Sequence, residues 1–316
     1  NRRSKMALGT NNTTAAVANN FIPALWSDEV IGAYKANLVL ANLVTKLSHK
    51  GKKGNTIKIP VPARGVATAK AANTQVTLSA ATNAVIDVVI DKHFEYSKLI
   101  EDIAEVQALA SMRKFYTDDA GFALAKQVDS SLFALAEGFQ GGVVGNTSQA
   151  TVYEKAVIGG DGTTLYTGNS RNCSDITEAG IRAMILKLDN ADVPMDNRVM
   201  VIPPIAANDL LVLERFTEQQ FIGNGDAIKT GKLGMVHGID IYISTACPVT
   251  TGAATATDRV GMIMHKDALV LAEQVGVRTQ TQYKQEYLGD LFTADTLYGV
   301  KELRDTAGVA FVVPGT

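Results

Sequence analysis

The sequence predicts an α+β fold of elongated outline, and three observations lead there. Residues 55–97 read as two β-type runs separated by a small, polar stretch over 63–83. Residues 98–137 place apolar side chains at helical spacing over a span longer than a globule of this size would hold. From residue 175 onward, helix-type and strand-type segments alternate.

The composition removes several classes. The chain has 316 residues, of which 46% are hydrophobic and 20% charged. That is too apolar for a disordered protein and long enough for one large core or two smaller ones. A formal charge of −2 argues against a protein that grips DNA by counterion release. Mean hydropathy is +0.06, slightly apolar for a free monomer, which suggests surface buried against other subunits. Cys173 and Cys247 are too few and too far apart for a disulfide framework. His49, His93, His237 and His265 match no metal-ligand spacing. No apolar run reaches the roughly 18–20 residues that span a bilayer, and no signal-peptide pattern is present. A cytoplasmic protein is the plain expectation.

Residues 1–20 are small and polar and read as an arm. Phe21 to Trp26 is sharply apolar and holds the only Trp, a core or interface anchor. Ser27 can cap a helix whose first turn carries Asp28 and Glu29 and whose apolar face is Val30, Ile31, Tyr34 and Leu38. A basic, glycine-rich turn over 48–54 comes next. The basic cluster of Lys46, just before this turn, and Lys50, Lys52 and Lys53 within it suits a solvated turn, or contact with an acidic neighbour or packaged nucleic acid. Asn55 to Pro62 alternates like a strand, and Pro60 and Pro62, which lack N–H donors, place it at an edge. Ala84 to Asp91 is β-rich again, so 55–97 reads as one long hairpin with a wide tip. Such a hairpin is marginal alone in water, and its polar tip needs another surface to lie on.

An unbroken helix over 98–137 would be about 60 Å long, against a diameter of about 50 Å for a compact chain of this length. Asp118 to Gly121 is the expected break and Gly138 the expected stop. Residues 138–172 are loop-rich. Beyond them the pattern predicts a helix over 175–188, a buried strand over 199–202 ended by Pro203-Pro204, and a helix over 205–216. Strands over 239–243 and 260–264 and a short helix over 266–273 come next. The tail, 275–313, reads as long strands around a turn or helical segment near 293–298.

No motif carries catalysis. The glycines at 138, 141, 142 and 145 follow a helix, where a dinucleotide site needs a strand, and their spacing is wrong. Gly225 to Lys232 has one residue too many for a P-loop, and Leu233 stands where Ser or Thr must ligate magnesium. No G-x-S-x-G elbow occurs. Ser-His-Asp and Cys-His sites assemble in space, so spacing says nothing against one, but no feature supports one. Glu101-Asp102 and Asp118-Asp119 are adjacent pairs that diverge on a helix, and Asp161-Gly162 lacks the further ligands of a calcium loop. No catalytic, cofactor-binding or metal-binding residue is therefore expected, and no cofactor.

The order of segments resembles the major capsid proteins of tailed bacteriophages, with the Hong-Kong-97-like fold. Phe21-Ile22-Pro23-Ala24-Leu25-Trp26-Ser27 resembles the family's run into the body, and Gly54 to Pro60 its first hairpin strand. Asp91 to Gln107 is similar to the second hairpin strand and the segment after it. Ala123 to Leu135, with Asp129, is similar to the end of the long spine helix. Arg198 to Leu211 resembles the strand–proline–helix step of the axial domain, and Leu233 to Ile243 a strand of the same domain. The resemblance covers most of 21–313.

That resemblance implies an N-terminal arm over 1–48, an extended β-hairpin loop over 49–97, and a peripheral domain with the spine helix over 98–175. An axial domain over 176–277 and a return to the peripheral domain over 278–316 complete it. It implies a structural shell protein of the virion, assembled in the host bacterial cytoplasm as hexamers and pentamers around double-stranded DNA held without sequence specificity. Its partners would be its own copies, with room for separate scaffolding, portal and decoration proteins, and no membrane. A scaffold would be a separate protein or removed upstream of Asn1. Inter-subunit contacts are expected at Trp26, Lys52, Lys53, Arg64, Lys70 and Gln75, and Lys70 is the one candidate for the lysine cross-link that a few relatives form. An encapsulin-like compartment with protein cargo shares the fold. An α+β enzyme without a linear motif is the reading from a different class.

Overall fold

The computed structural model describes residues 39–62, 65, 67–76, 78, 83–101, 112–144, 153–168, 170, 172–213, 234–250 and 257–315. The helix expected at 27–38 and the glycine-rich segment 225–232 lie outside them. In chain order the elements begin with α1 (Leu40–Leu43), β1 (Thr45–Ser48), β2 (Thr56–Pro62), β3 (Asn83–Val89) and β4 (Lys92–Glu101). Helix α2 (Met112–Ala134) runs into a 3-10 turn at Leu135–Gly141, and β5 (Val157–Ile158), α3 (Glu178–Asn190), β6 (Arg198–Ile202) and α4 (Pro204–Val212) follow. Then come β7 (Met235–Val236), β8 (Ile239–Ile243), β9 (Arg259–His265), β10 (Leu269–Lys284), β11 (Gly289–Glu302) and β12 (Gly308–Val313).

The strands make a six-stranded sheet ordered β5-β12-β9-β6-β8-β7, a four-stranded sheet ordered β1-β10-β11-β4, and a ribbon of β2 and β3. Every residue of β6 and β12 is buried, as continuous apolar runs require when both sheet faces are covered. Pro203 cannot extend β6 and Pro204 supplies the preset φ of a helix start, so strand gives way to α4 at once. Helix α3 is capped by Thr177, whose Oγ1 accepts the Gly180 N–H at 3.1 Å, with Glu178 in the first turn and Lys187 in the last. Met184, Leu188, Ile202, Met262 and Phe311 are among the buried residues of the main core, each contributing roughly 1.5–3 kcal/mol of burial.

The four-stranded sheet packs on α2 through Ala120 and Leu124 of the helix and Phe292 and Ala294 of β11, flanked by Phe94 and Tyr96 of β4. The helix runs unbroken through the expected break at Asp118 to Gly121. A mid-helix glycine costs about 1 kcal/mol, which the burial of Ala120 and Leu124 on either side of Gly121 exceeds, and the Asp119 carboxylate accepts from the Tyr96 hydroxyl at 3.0 Å. At 23 residues the helix spans about 35 Å. Gly138 lies inside the 3-10 turn, not at the stop of the α-helix.

Pairing in this sheet overrides local propensity elsewhere. Residues 98–101, expected to be helical, extend β4, because Gly289 to Phe292 bond to them. Residues 266–273, also expected as a helix, make one 3-10 turn at Lys266–Ala268 and then strand. Val270 to Glu273 is flanked by β1 on one side and β11 on the other, a position where only extended backbone satisfies its peptide groups. The turn expected near 293–298 sits instead between Lys284 and Gly289, with Leu288 at φ 45°.

The single hairpin expected over 55–97 divides in two. Its first part, β2 with β3, runs in register from Thr56↔Val89 to Pro62↔Asn83. The chain then turns at Ile90-Asp91, and β4 leaves the ribbon to pair with β11. Among the described residues proline-bearing β2 pairs with β3 alone, as an edge strand.

Candidate inter-subunit surface

The ribbon is rooted firmly and bare beyond its root. The chain reaches it from β1 through His49, whose N–H donates to the Glu273 carbonyl at 2.8 Å. The next turn has Gly51 at φ 75° and Gly54 at φ 112°, values that disfavour any side chain. Gln274 clamps this turn: its Nε2 donates to the carbonyls of Lys52 at 3.1 Å and Gly54 at 3.0 Å. On the returning strand the Ile90 N–H donates to the Asn55 carbonyl at 2.7 Å. Val88 and Ile90 are buried against Val270 and Ala272, with Ile57, Ile59 and Leu297 half-buried around them. Gly299 permits this approach, since a Cβ there would overlap the Val89 carbonyl oxygen.

Past the root the cover ends. Val61 and Val85 are exposed, and Lys58 and Asp87, facing across the ribbon, approach only to 4.0 Å on open side chains, worth between zero and about 1 kcal/mol. Described residues 65, 67–76 and 78 of the tip are all exposed, including Leu78 at 92%. Asn73 turns the tip at φ 62°, and Thr74 Oγ1 donates to the Ala71 carbonyl at 2.7 Å.

No family model matches the sequence, and no curated protein matches it. Solved structures do. A chain of Mycobacterium phage Che8 superposes with a TM-score of 0.72 at 24% identity, over 93% of this chain and 97% of that one. The capsid of cyanophage P-SCSP1u gives 0.72 at 19%, over 98% and 97%. The head of Helicobacter pylori bacteriophage KHP40 gives 0.70 at 13%, over 98% and 100%. The chain has the phage capsid fold. The α+β, Hong-Kong-97-like class expected from the order of segments is therefore its fold class.

Within the capsid fold, the residues expected at contacts fall in two places. Lys52 and Lys53 are exposed on the clamped root turn before β2, and Lys70 and Gln75 are exposed in the tip after it. Trp26 and Arg64 lie outside the described residues.

Sequence reasoning missed three polar arrangements in the body that carries the ribbon. Asp129 of α2 is fully buried and accepts the N–H groups of Val39, Leu40 and Ala41 at 3.1, 3.4 and 2.9 Å. Burial pushes its carboxyl up and these bonds pull it partly back. Arg278 of β10 holds Asp295 of β11 through two bonds of 2.7 and 2.8 Å, and His93 Nε2 lies 3.1 Å from the same carboxylate. The guanidinium keeps the Asp295 carboxyl down at about 2. Glu302, at the end of β11, borders a cleft of about 440 Å³ between ribbon root and α2. Among the described residues its Oε1 has no hydrogen-bond partner, and burial, with Asp305 adding repulsion, pushes the carboxyl up to about 7. Correct strand register would have exposed the Arg278–Asp295 pair; nothing local in sequence marks the other two.

Among the described residues no group of three or more His, Cys, Asp or Glu is placed to hold a metal. None of their helices is long and apolar enough to cross a membrane. Cys247 is buried, with its thiol pushed up to about 12, which leaves it protonated and a poor nucleophile at neutral pH.

Proposed function

We propose that the chain is a major capsid subunit without turnover chemistry, which assembles as hexamers and pentamers into an icosahedral virion shell around double-stranded phage DNA. Assembly takes place in the host cytoplasm. The observation that carries the reading is the ribbon: rooted on its own body by Gln274, Val88 and Ile90, it ends in a tip exposed throughout its described residues. An adjacent copy is the surface that covers it, with Lys52, Lys53, Lys70 and Gln75 at the contact, and Trp26 and Arg64 assigned there from sequence. In this reading residues 1–48 form the arm, 49–97 the extended loop, 98–175 with 278–316 the peripheral domain, and 176–277 the axial domain.

The physics suits a shell. A standard contact buries about 1,200–2,000 Å², and association and ordering costs cancel most of its gross gain. Each contact is then reversible enough to correct errors, while many contacts per subunit hold the closed particle. Negative-stain microscopy of the purified protein tests the proposal. Closed shells of uniform size are expected, and uniform particles the size of a dimer would overturn it. Nucleic acid absorbance in purified shells separates a DNA container from a compartment for protein cargo.

A further inference from the structure

The near-neutral total charge conceals a segregation. Residues 30–86 contain eight lysines and arginines and no aspartate or glutamate. Residues 87–316 contain 19 basic and 30 acidic residues, a net of −11. The basic limb is the approach and the ribbon up to Ile86; Asp87, the first acidic residue after it, still lies on β3. Lys52, Lys53, Lys58 and Lys70 are all exposed, and Lys58 approaches Asp87 only to 4.0 Å. At the root, where limb and body do touch, the contact is of opposite charge: Lys50 meets Glu273 at 3.6 Å.

We propose that the limb docks electrostatically on the acidic body of a second copy of this chain, so that ionic strength sets how firmly copies join. This rests on the shell reading and adds to it the sign of the surface that receives the ribbon. A cationic segment is drawn to an anionic partner over about a Debye length, roughly 10 Å at 0.1 M salt and roughly 3 Å at 1 M. Nucleic acid is the other polyanion such a limb would suit. A duplex brought to the limb would also meet the repulsion of the attached −11 body, whereas the body of a second copy offers the complementary charge.

The test uses the full chain and a variant combining Lys52→Gln, Lys53→Gln, Lys58→Gln and Lys70→Gln. All four positions are exposed, so an unchanged thermal melt is the control for folding. Wild-type particle yield by sedimentation is expected to fall about tenfold or more between about 0.1 and 1 M NaCl. The variant is expected to need about tenfold more protein to assemble at low salt and to respond weakly to NaCl. Carbodiimide coupling in a mixture of isotopically heavy and light wild-type copies should join these lysines to carboxylates within 87–316 of the other copy. Unchanged yield and salt response in the variant would overturn the proposal. So would binding of duplex DNA by the wild type that the variant loses while its assembly is unaltered. Heavy–light pairs without shells would sink the shell reading and leave the docking standing; shells without such pairs would do the reverse.

Discussion

The Asp129 carboxylate takes the backbone N–H of Ala41 at 2.9 Å, across 88 residues of sequence. With its bonds to Val39 and Leu40, it acts as a cap borrowed from another helix: α1 has no side-chain cap bond of its own, and α2 supplies one. Asp129→Ala should therefore cost about 2–3 kcal/mol in chemical denaturation, by leaving buried donors unpaired. Asp129→Asn turns one of the two accepting oxygens into an NH2 donor, so it leaves either the Ala41 N–H or those of Val39 and Leu40 facing a donor and should lose about 1–2 kcal/mol, less than Asp129→Ala. Equal losses in the two variants would show that one accepting oxygen is no better than none and that both carboxylate oxygens are required.

The Arg278–Asp295 pair gives an acid-limb signature. Asp295 has its folded-state carboxyl held at about 2, below its ordinary 3.8. A lowered carboxyl contributes stability above its unfolded value and loses it as pH falls through the folded one. Thermal melts between pH 4 and pH 2 should lose midpoint steeply in the wild type and less steeply in Arg278→Ala, with the two converging at the acid end.

Glu302 behaves in the opposite sense. Its carboxyl is raised from 4.5 to about 7, so the stability linked to its proton is fully present below 4.5 and lost as pH rises through about 7. Glu302→Gln should flatten that slope. At pH 8 the variant should be more stable by on the order of 1–3 kcal/mol, a figure reduced from the full shift for partial exposure. An unaltered pH profile would place the carboxylate in water.

Gly299 sets how closely the ribbon root lies on β11. Gly299→Ala brings a methyl into the Val89 carbonyl oxygen, a backbone atom that cannot swing aside, and should destabilise by about 1–3 kcal/mol. Hydrogen exchange should speed up at Val88 and Ile90 and stay unchanged in β6. Uniform acceleration would mean that the root is no weaker than the rest of the fold.

Deleting residues 63–83 should leave a folded subunit that cannot close shells. Circular dichroism and microscopy read the two halves of that statement separately, and normal particles from the deletion would remove the tip from the assembly contact.

Much of the six-stranded sheet was legible: Val199 to Ile202 before two prolines and Val260 to Met264 are continuous apolar runs, and Ile239 to Ile243 alternates apolar residues around Asp240. The four-stranded sheet was harder. Lys266 to Glu273 is built of good helix formers, and only the strands on either side of it make extended backbone the better state. Likewise Leu99 and Ile100 continue a helical spacing but sit opposite Leu291 and Asp290. The ribbon itself could be read from alternation and its two prolines. Its root could not, since Gln274 and Gly299 lie more than 200 residues from the backbone they meet.

Pro60 and Pro62 leave gaps in the row of donors along β2, on the outer side of a ribbon that has no third strand among the described residues. A ribbon so interrupted is a poor template for stacking strand upon strand. Proteins that project a long naked β-arm run the hazard of polymerising into fibres; here that route is discouraged by the arm's own covalent chemistry.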